Sequence, residues 1–198
     1  EGQIAVGALT AALFGYGLPR WLGSDLPAVV HLPTTLLAGI LGGGLWGALP
    51  GWLKARTVAH EVINTIMLNY IAINMVSFLL NGALKDPEPG NVIARTPLIA
   101  ASAELPTLLE RYRVHWGFVL ALLLAAGVAL LLRRTTLGYD LRAVGSNPDA
   151  AAAGGIPVVR TTVVAMAMSG GLAGLAGAVE VTALNHRHEL GFSAGYGF

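Results

Sequence analysis

The sequence contains no cysteine, which excludes disulfides and thiolate metal sites. Charge is scarce as well. Asp, Glu, Lys and Arg supply 12% of the 198 residues, against about 25% in a soluble domain. The formal net charge of +1 implies no bulk attraction to nucleic acid. No Gly-x-x-x-x-Gly-Lys-[Ser/Thr] loop occurs, so the chain is not expected to bind or hydrolyse ATP itself. No His-Glu-x-x-His spacing occurs, and His186 and His188 flank Arg187 without further ligands beside them. Two histidines do not fill a metal site. No nucleophile–base constellation is visible. The chain is therefore not expected to be an enzyme, and no cofactor is expected. No basic n-region precedes the first apolar run, so that run does not read as a signal peptide. The sequence opens on Glu1 and closes on a Gly/aromatic stretch, Gly191–Phe198; it reads as a piece of a longer chain.

What is abundant is apolar surface, at 55% of residues. A hydrocarbon core of ~30 Å takes ~20 helical residues to cross. Five uncharged segments approach that length: Gly2–Leu18, Thr34–Leu53, Val62–Leu80, Val114–Leu132 and Thr161–Val179. The expected fold is an all-α, polytopic transmembrane helix bundle of about five spans, one membrane domain over 1–198, placed in the cell (plasma or inner) membrane. Five crossings put Lys54–Glu61 and Arg133–Arg160 on one side. Lys54, Arg56, Arg133, Arg134, Arg142 and Arg160 fall there, against Arg20, Lys85, Arg95, Arg111, Arg113 and Arg187 opposite. The raw count ties, but the first group is denser and closer to the helix ends. The positive-inside rule then favours it as cytoplasmic.

Glycine recurs at 39, 43, 47 and 51 in the second segment, and Gly170 and Gly174 repeat the spacing in the fifth. In lipid, such a stripe lets two backbones approach closely, so Gly39, Gly43, Gly47, Gly170 and Gly174 are candidate packing positions. Membrane helices are also glycine-rich in general. Pro50 is expected to kink the second helix near its end. In the third segment Glu61, Thr65 and Asn69 share one helical face, while Tyr70, Asn74, Ser77 and Asn81 share the opposite one. Buried amides need partners, so neither face suits lipid. Either this helix lines a pathway, with Glu61, Asn64, Thr65, Asn69, Tyr70 and Asn74 as candidate contacts, or its polar groups bond to neighbouring helices. Glu180, at the end of the fifth span, is either a pathway acid or a snorkelling carboxylate. The connection 82–113 is Pro-rich at first and then suggests a short amphipathic helix, Ser102 to Arg113, capped by Ser102. It is expected to be extracytoplasmic.

The most informative stretch lies in 133–160. Asn147 can cap a helix, Pro148 suits its first position, and Asp149 suits the positive end of its dipole. Four alanines follow, and Gly154 is placed to stop the helix in a left-handed conformation. A helix of little more than one turn is marginal alone, so the membrane domain or a partner's groove must hold it. Ala143, Gly145, Asn147, Ala150, Ala151, Gly155 and Ile156 stand at the positions of an A-x-G-x-N-x-x-A-A-x-x-x-G-I pattern. This segment resembles the coupling-loop signature of ABC importer permeases of the sugar, nucleoside and branched-chain amino acid superfamily. The run from His60 to Ala72 is similar to a third-helix signature of the nucleoside/simple-sugar branch, in which the position of His60 is often Asn. Leu79–Lys85, the closing Gly191–Phe198 and the opening Glu1-Gly2-Gln3 resemble that branch too.

The resemblance implies a pathway-forming subunit of an ATP-driven importer, part of a roughly ten-helix permease. Its coupling element, Gly145–Ile156, would dock into a separate ABC ATPase subunit. The expected partners are that ATPase, a second permease subunit, an extracytoplasmic substrate-binding protein and membrane lipid. Nucleosides are the expected cargo; simple sugars or branched-chain amino acids are the alternatives. An ion-coupled secondary transporter is the competing class, and it predicts mid-span acids or bases, which the five segments lack.

Overall fold

The computed structural model describes residues 1–24, 26–56, 61–87, 93–109, 114–189 and 191; the side chains of 61 and 109 are outside that set. Seven α-helices dominate: α1 (Gly2–Leu22), α2 (Ala28–Arg56), α3 (Glu61–Asn81), α4 (Trp116–Arg134), α5 (Thr136–Ser146), α6 (Pro148–Ala153) and α7 (Val158–Glu180). A π-turn, Val181–Asn185, extends α7. Between α3 and α4, β1 (Thr107–Leu109) pairs antiparallel with β2 (Val114–His115).

Among the described residues, four segments are long and apolar enough to cross a membrane: Ala28–Arg56, Val62–Asn81, Trp116–Arg134 and Val158–Asn185. Their outward faces agree, with Leu45 72%, Phe78 78% and Leu123 65% exposed. In water such a surface would aggregate; in hydrocarbon it is solvated. The most lipid-exposed helix, α4, is also the most apolar, at mean hydropathy 2.2. The fifth expected span, α1, has 21 residues, or roughly 31 Å. Protein surrounds much of it: Val6, Gly7, Ala8, Leu9, Ala11 and Ala12 are all buried.

The core is the triple contact of α1, α2 and α7, and glycine makes it. A Cβ on Gly47 would stand 2.6 Å from Met166 O and 2.9 Å from Gly170 Cα. One on Gly39 would stand 2.6 Å from Ala178 Cβ. Gly7 and Gly43 each meet Gly174 through backbone atoms. Any side chain there would hold the backbones apart, and close backbone approach is what associates helices where no hydrophobic effect operates. Helix α2 runs through both Pro33 and Pro50 to Arg56. Helix α3 leans on α1 through Ala72, Val76 and Leu80. Helix α4 stands off, leaving a cavity of about 520 Å³ lined by α2, α4 and α7.

At the end of the bundle away from α6, residues 93–105 form a strap across α1, α2 and α7. Ala100 N–H donates to Gly15 O (3.0 Å), Ile99 N–H to His186 O (2.9 Å) and Leu105 N–H to Thr182 O (2.9 Å). Fully buried His31 joins α2 to the strap and to α1, with Nδ1 2.7 Å from Ser102 Oγ and Nε2 3.2 Å from Phe14 O. A carbonyl only accepts, so Nε2 carries a hydrogen. This corrects the amphipathic helix expected from Ser102. Only a 3₁₀ turn, Ala101–Ala103, forms; Pro106 follows, and Ser102 bonds to His31 instead of capping. Residues 110–113 lie outside the described set.

His188 closes the strap. Its N–H donates to Thr96 Oγ1 and its carbonyl accepts from Thr96 N–H, each 2.9 Å. Burial pushes its imidazole down to about 4, so it is neutral in the closed strap. Once released, the ring regains its ordinary value of about 6.5 and takes up a proton more readily. The strap is therefore fully stable above about pH 6.5 and loses on the order of 3 kcal/mol as the pH falls toward 4. Hydrogen exchange at Thr96 and Leu105, corrected for intrinsic rate, is expected to show at least about tenfold more opening at pH 5 than at pH 7.5. The same measurement on His188→Gln should show no such difference.

Candidate functional site

A polar pocket lies where α1 begins. Glu1, Gln3, Trp46, Pro50, Thr65 and Asn69 line a cavity of about 180 Å³. Asn69 is eight residues from the start of α3 and Trp46 ten from the end of α2, roughly 12–15 Å along each helix. The amide of Asn69 is fixed there, because Gly2 N–H donates to its Oδ1. Tight packing holds the neighbouring wall, since a Cβ on Gly2 would be 2.8 Å from Ala72 Cβ and 3.2 Å from Trp46 Nε1.

The pocket gathers one of the two polar faces of α3. Thr65 and Asn69 line it; the side chain of Glu61 is outside the described residues. Asn64 is half-buried, and its Nδ2 has no hydrogen-bond partner among the described residues. The opposite face carries Tyr70 and Asn74, both exposed. Asn74 Nδ2 donates to Tyr70 O (2.8 Å) and Asn81 Nδ2 to Ser77 O (2.9 Å), both along the helix itself. Sequence reading missed Glu1, Gln3 and Trp46. They join the α3 face through the packing of α1 against α2 and α3. Glu180, at the strap end, accepts from Asn185 Nδ2 at 3.3 Å.

The second candidate region is at the other end. Helix α5 was not expected. Thr135 caps it by accepting from Gly138 N–H at 3.0 Å, and Gly138 folds back so tightly that a Cβ would lie 2.6 Å from Leu132 Cα. Asn147 then makes a corner. Its N–H donates to Ala143 O (3.1 Å), ending α5. Its Oδ1 accepts from Asp149 and Ala150 N–H (3.0 Å each), starting α6. The left-handed residue after α6 is Gly155, at φ 84, and not Gly154. Ile156 N–H returns to Ala151 O and Gly155 N–H to Ala152 O, 3.0 Å each, the double bond pattern of a Schellman close. Ala151 is buried; Gly145, Asn147, Ala150 and Gly155 are exposed, and Ala143 and Ile156 half-buried. One face of α6 thus rests on the protein and the other is bare.

The glycines expected to pack (39, 43, 47, 170 and 174) all sit in the α2–α7 seam. Among the described residues, no group of three or more metal-ligating side chains occurs.

The whole chain, residues 1–198, matches the family described as branched-chain amino acid transport system / permease component. It is similar to the guanosine ABC transporter permease protein NupP of Bacillus subtilis (strain 168), at 40% identity over 91% of this chain and 50% of that one. It is also similar to the nucleoside ABC transporter permease protein NupB of Lactococcus lactis subsp. cremoris, at 33% identity over 88% and 52%. The glucose ABC transporter permease protein TsgB13 of Haloferax volcanii is 28% identical over 100% and 53%. The chain spans about half the length of these curated relatives. No solved structure gives a significant match.

Proposed function

The chain belongs to the branched-chain amino acid transport system / permease component family, and on that premise we propose that it forms the translocation pathway of an ATP-driven nucleoside importer. The observation that carries the cargo assignment is the pair of relatives at 40% and 33% identity, both nucleoside-class permeases. The pocket supports it. Carboxylate, amide, hydroxyl and indole line the cavity, with no Lys or Arg among the lining residues to pair with an amino acid's carboxylate. A sugar ring suits the same groups, and the relative described as a glucose permease keeps simple-sugar import as the second reading.

In this reading α5 and α6 lie on the cytoplasmic side, where the bare face of α6 fits a groove on a separate ATPase subunit. Hydrolysis occurs there and not on this chain. A push on α6 passes through the short link at 154–157 into α7. Because α7 is knit to α2 and α1 by glycine contacts, the three move as one block. The energy enters through contacts that differ between two states of the permease. A second permease subunit completes the pathway, and an extracytoplasmic binding protein delivers the cargo to the strap end.

Residues 1–198 contain no cysteine, so with any cysteine elsewhere in the permease replaced, single-cysteine variants give a direct test. A single cysteine at Ala150 should cross-link to the ATPase subunit in membranes, and one at Phe118, an exposed α4 residue, should not. Labelling of the Ala150 cysteine by an impermeant thiol reagent added outside intact cells would refute the orientation. At the pocket, Asn69→Leu removes the amide bonded to Gly2. Nucleoside uptake is expected to fall about tenfold or more, as for a lost buried polar contact of 1.5–3 kcal/mol, while the ATPase still co-purifies.

A further inference from the structure

The apolar groove of about 520 Å³ walled by α2, α4 and α7 has no part in the proposed function. Its floor is the α2–α7 seam at Gly44 and Gly171, and its far wall is Leu124 and Val128 of α4. Along α7 it runs from Val164 to Leu175, roughly 16 Å. A lipid acyl chain covers about half of a ~30 Å hydrocarbon core, nearly the same length. A further transmembrane helix is too thick. At ~10 Å diameter it fills roughly 120 Å³ per residue, so the groove seats little more than one turn of it.

The mouth of the groove is charged. On the side of α5 and α6, all three walls end in cations: Lys54 and Arg56 on α2, Arg133 and Arg134 on α4, and Arg160 on α7, every one exposed. Ala48 to Lys54 is six residues, Val128 to Arg133 five and Val164 to Arg160 four. The cations thus stand roughly 6–9 Å beyond the groove along their helices. The Arg56 guanidinium lies 5.5 Å from the ring centroid of Trp52, and an exposed indole at a helix end marks the headgroup level. Basic residues gather at cytoplasmic helix ends in general, so charge alone assigns no site. What is particular is the pairing of charge with groove. Helix α3, which does not line the groove, carries no Lys or Arg between 61 and 81. The carboxylates on this side, Glu1, Glu61, Asp140 and Asp149, stand on α1, α3, α5 and α6, none of which lines it either.

We propose that this groove holds an acyl chain of an anionic phospholipid from the leaflet on the α6 side, with its phosphate bound by the cations at the ends of α2, α4 and α7. In hydrocarbon the groove offers the chain packing but no hydrophobic gain, so selectivity rests on the headgroup. Each Lys or Arg near an anionic headgroup raises affinity about fivefold. The lipid fills the space between α4 and the α2–α7 seam, and so ties to the core a helix that stands off from it. The proposal needs the membrane reading but not the cargo.

The test uses the complete transporter with its ATPase subunit, purified from vesicles of equal parts phosphatidylcholine and phosphatidylglycerol. Phospholipid retained on the complex is measured by mass spectrometry. Wild type is expected to retain phosphatidylglycerol in at least about fivefold excess over phosphatidylcholine. Arg133→Gln combined with Arg160→Gln should weaken that retention about 30-fold, and the matching pair of lysine substitutions should keep it. Val128→Trp fills the groove from α4 without changing charge, and it should lose the lipid as well. Leu123→Trp, on the exposed face of the same helix, should not. No preference in wild type overturns the proposal; a protein segment seated in the groove would give that result. Loss in the glutamine pair with retention in Val128→Trp reduces the effect to surface attraction and overturns the groove as the seat. Retention in the glutamine pair overturns the role given to the cations. Assembly is checked by the ATPase retained on purification; should Val128→Trp fail that check, Ala48→Leu fills the groove from α2 and carries the same comparison. No transport is measured, so none of these outcomes bears on the nucleoside reading.

Discussion

Gly174→Ile is expected to leave almost no assembled protein in the membrane. Gly174 sits where α1, α2 and α7 meet, and its Cα lies against backbone atoms of Gly7 and Gly43. A Cβ there would fall 2.8 Å from Gly43 Cα and 3.0 Å from Gly43 N, and closer still to Gly39 O. These neighbours are backbone, so no rotamer change relieves the clash; whole helices must separate. Overpacking a core costs about 1–3 kcal/mol and occasionally more. Here the cost is at the upper end, because two seams open together and close packing is what associates these helices. Membrane abundance and a monodisperse peak in detergent should both fall at least tenfold. Gly127→Ile on α4, where nothing lies within 4 Å, is the matched control and should behave as wild type.

The second large effect is expected at α6. Ala150→Arg, on the bare face, should leave the permease folded and in the membrane but drop uptake by on the order of 100-fold, the loss of an interface hot spot of roughly 2–4 kcal/mol. The ATPase should no longer co-purify. Asn147→Ala should do less. It removes the acceptor for Asp149 and Ala150 N–H, a capping loss of about 1 kcal/mol, so α6 frays without its face being blocked. Normal uptake in Ala150→Arg would show that α6 is not the element a motor grips.

What the sequence made legible follows from the range of the interaction involved. Asn147-Pro148-Asp149 announces α6 because capping is a contact between near neighbours, and the structure has that cap. The glycine stripes at i, i+4 sit on one face whatever lies opposite. Gly155 was missed by one position because a Schellman close puts the left-handed residue after the cap, and two glycines in a row give no local preference. Helix α5 was missed because Gly138 and Gly145 lower its propensity; folding back onto Leu131 and Leu132 stabilises it instead. The strap was illegible. Ser102 to His31 and Thr96 to His188 join residues far apart in sequence, and no local pattern announces them. The same is true of the pocket. Thr65 and Asn69 share a readable face of α3, but Glu1, Gln3 and Trp46 join them only through the packing of α1 against α2 and α3, which hydropathy does not encode.

Transport of a labelled cargo by the reconstituted importer tests the central claim most directly. With ATP supplied on the ATPase side and the binding protein on the other, tritiated guanosine should accumulate against its gradient, and no accumulation should occur without ATP. Labelled leucine should stay out. Leucine accumulation with guanosine excluded, or guanosine entry that proceeds equally without ATP, would contradict the account.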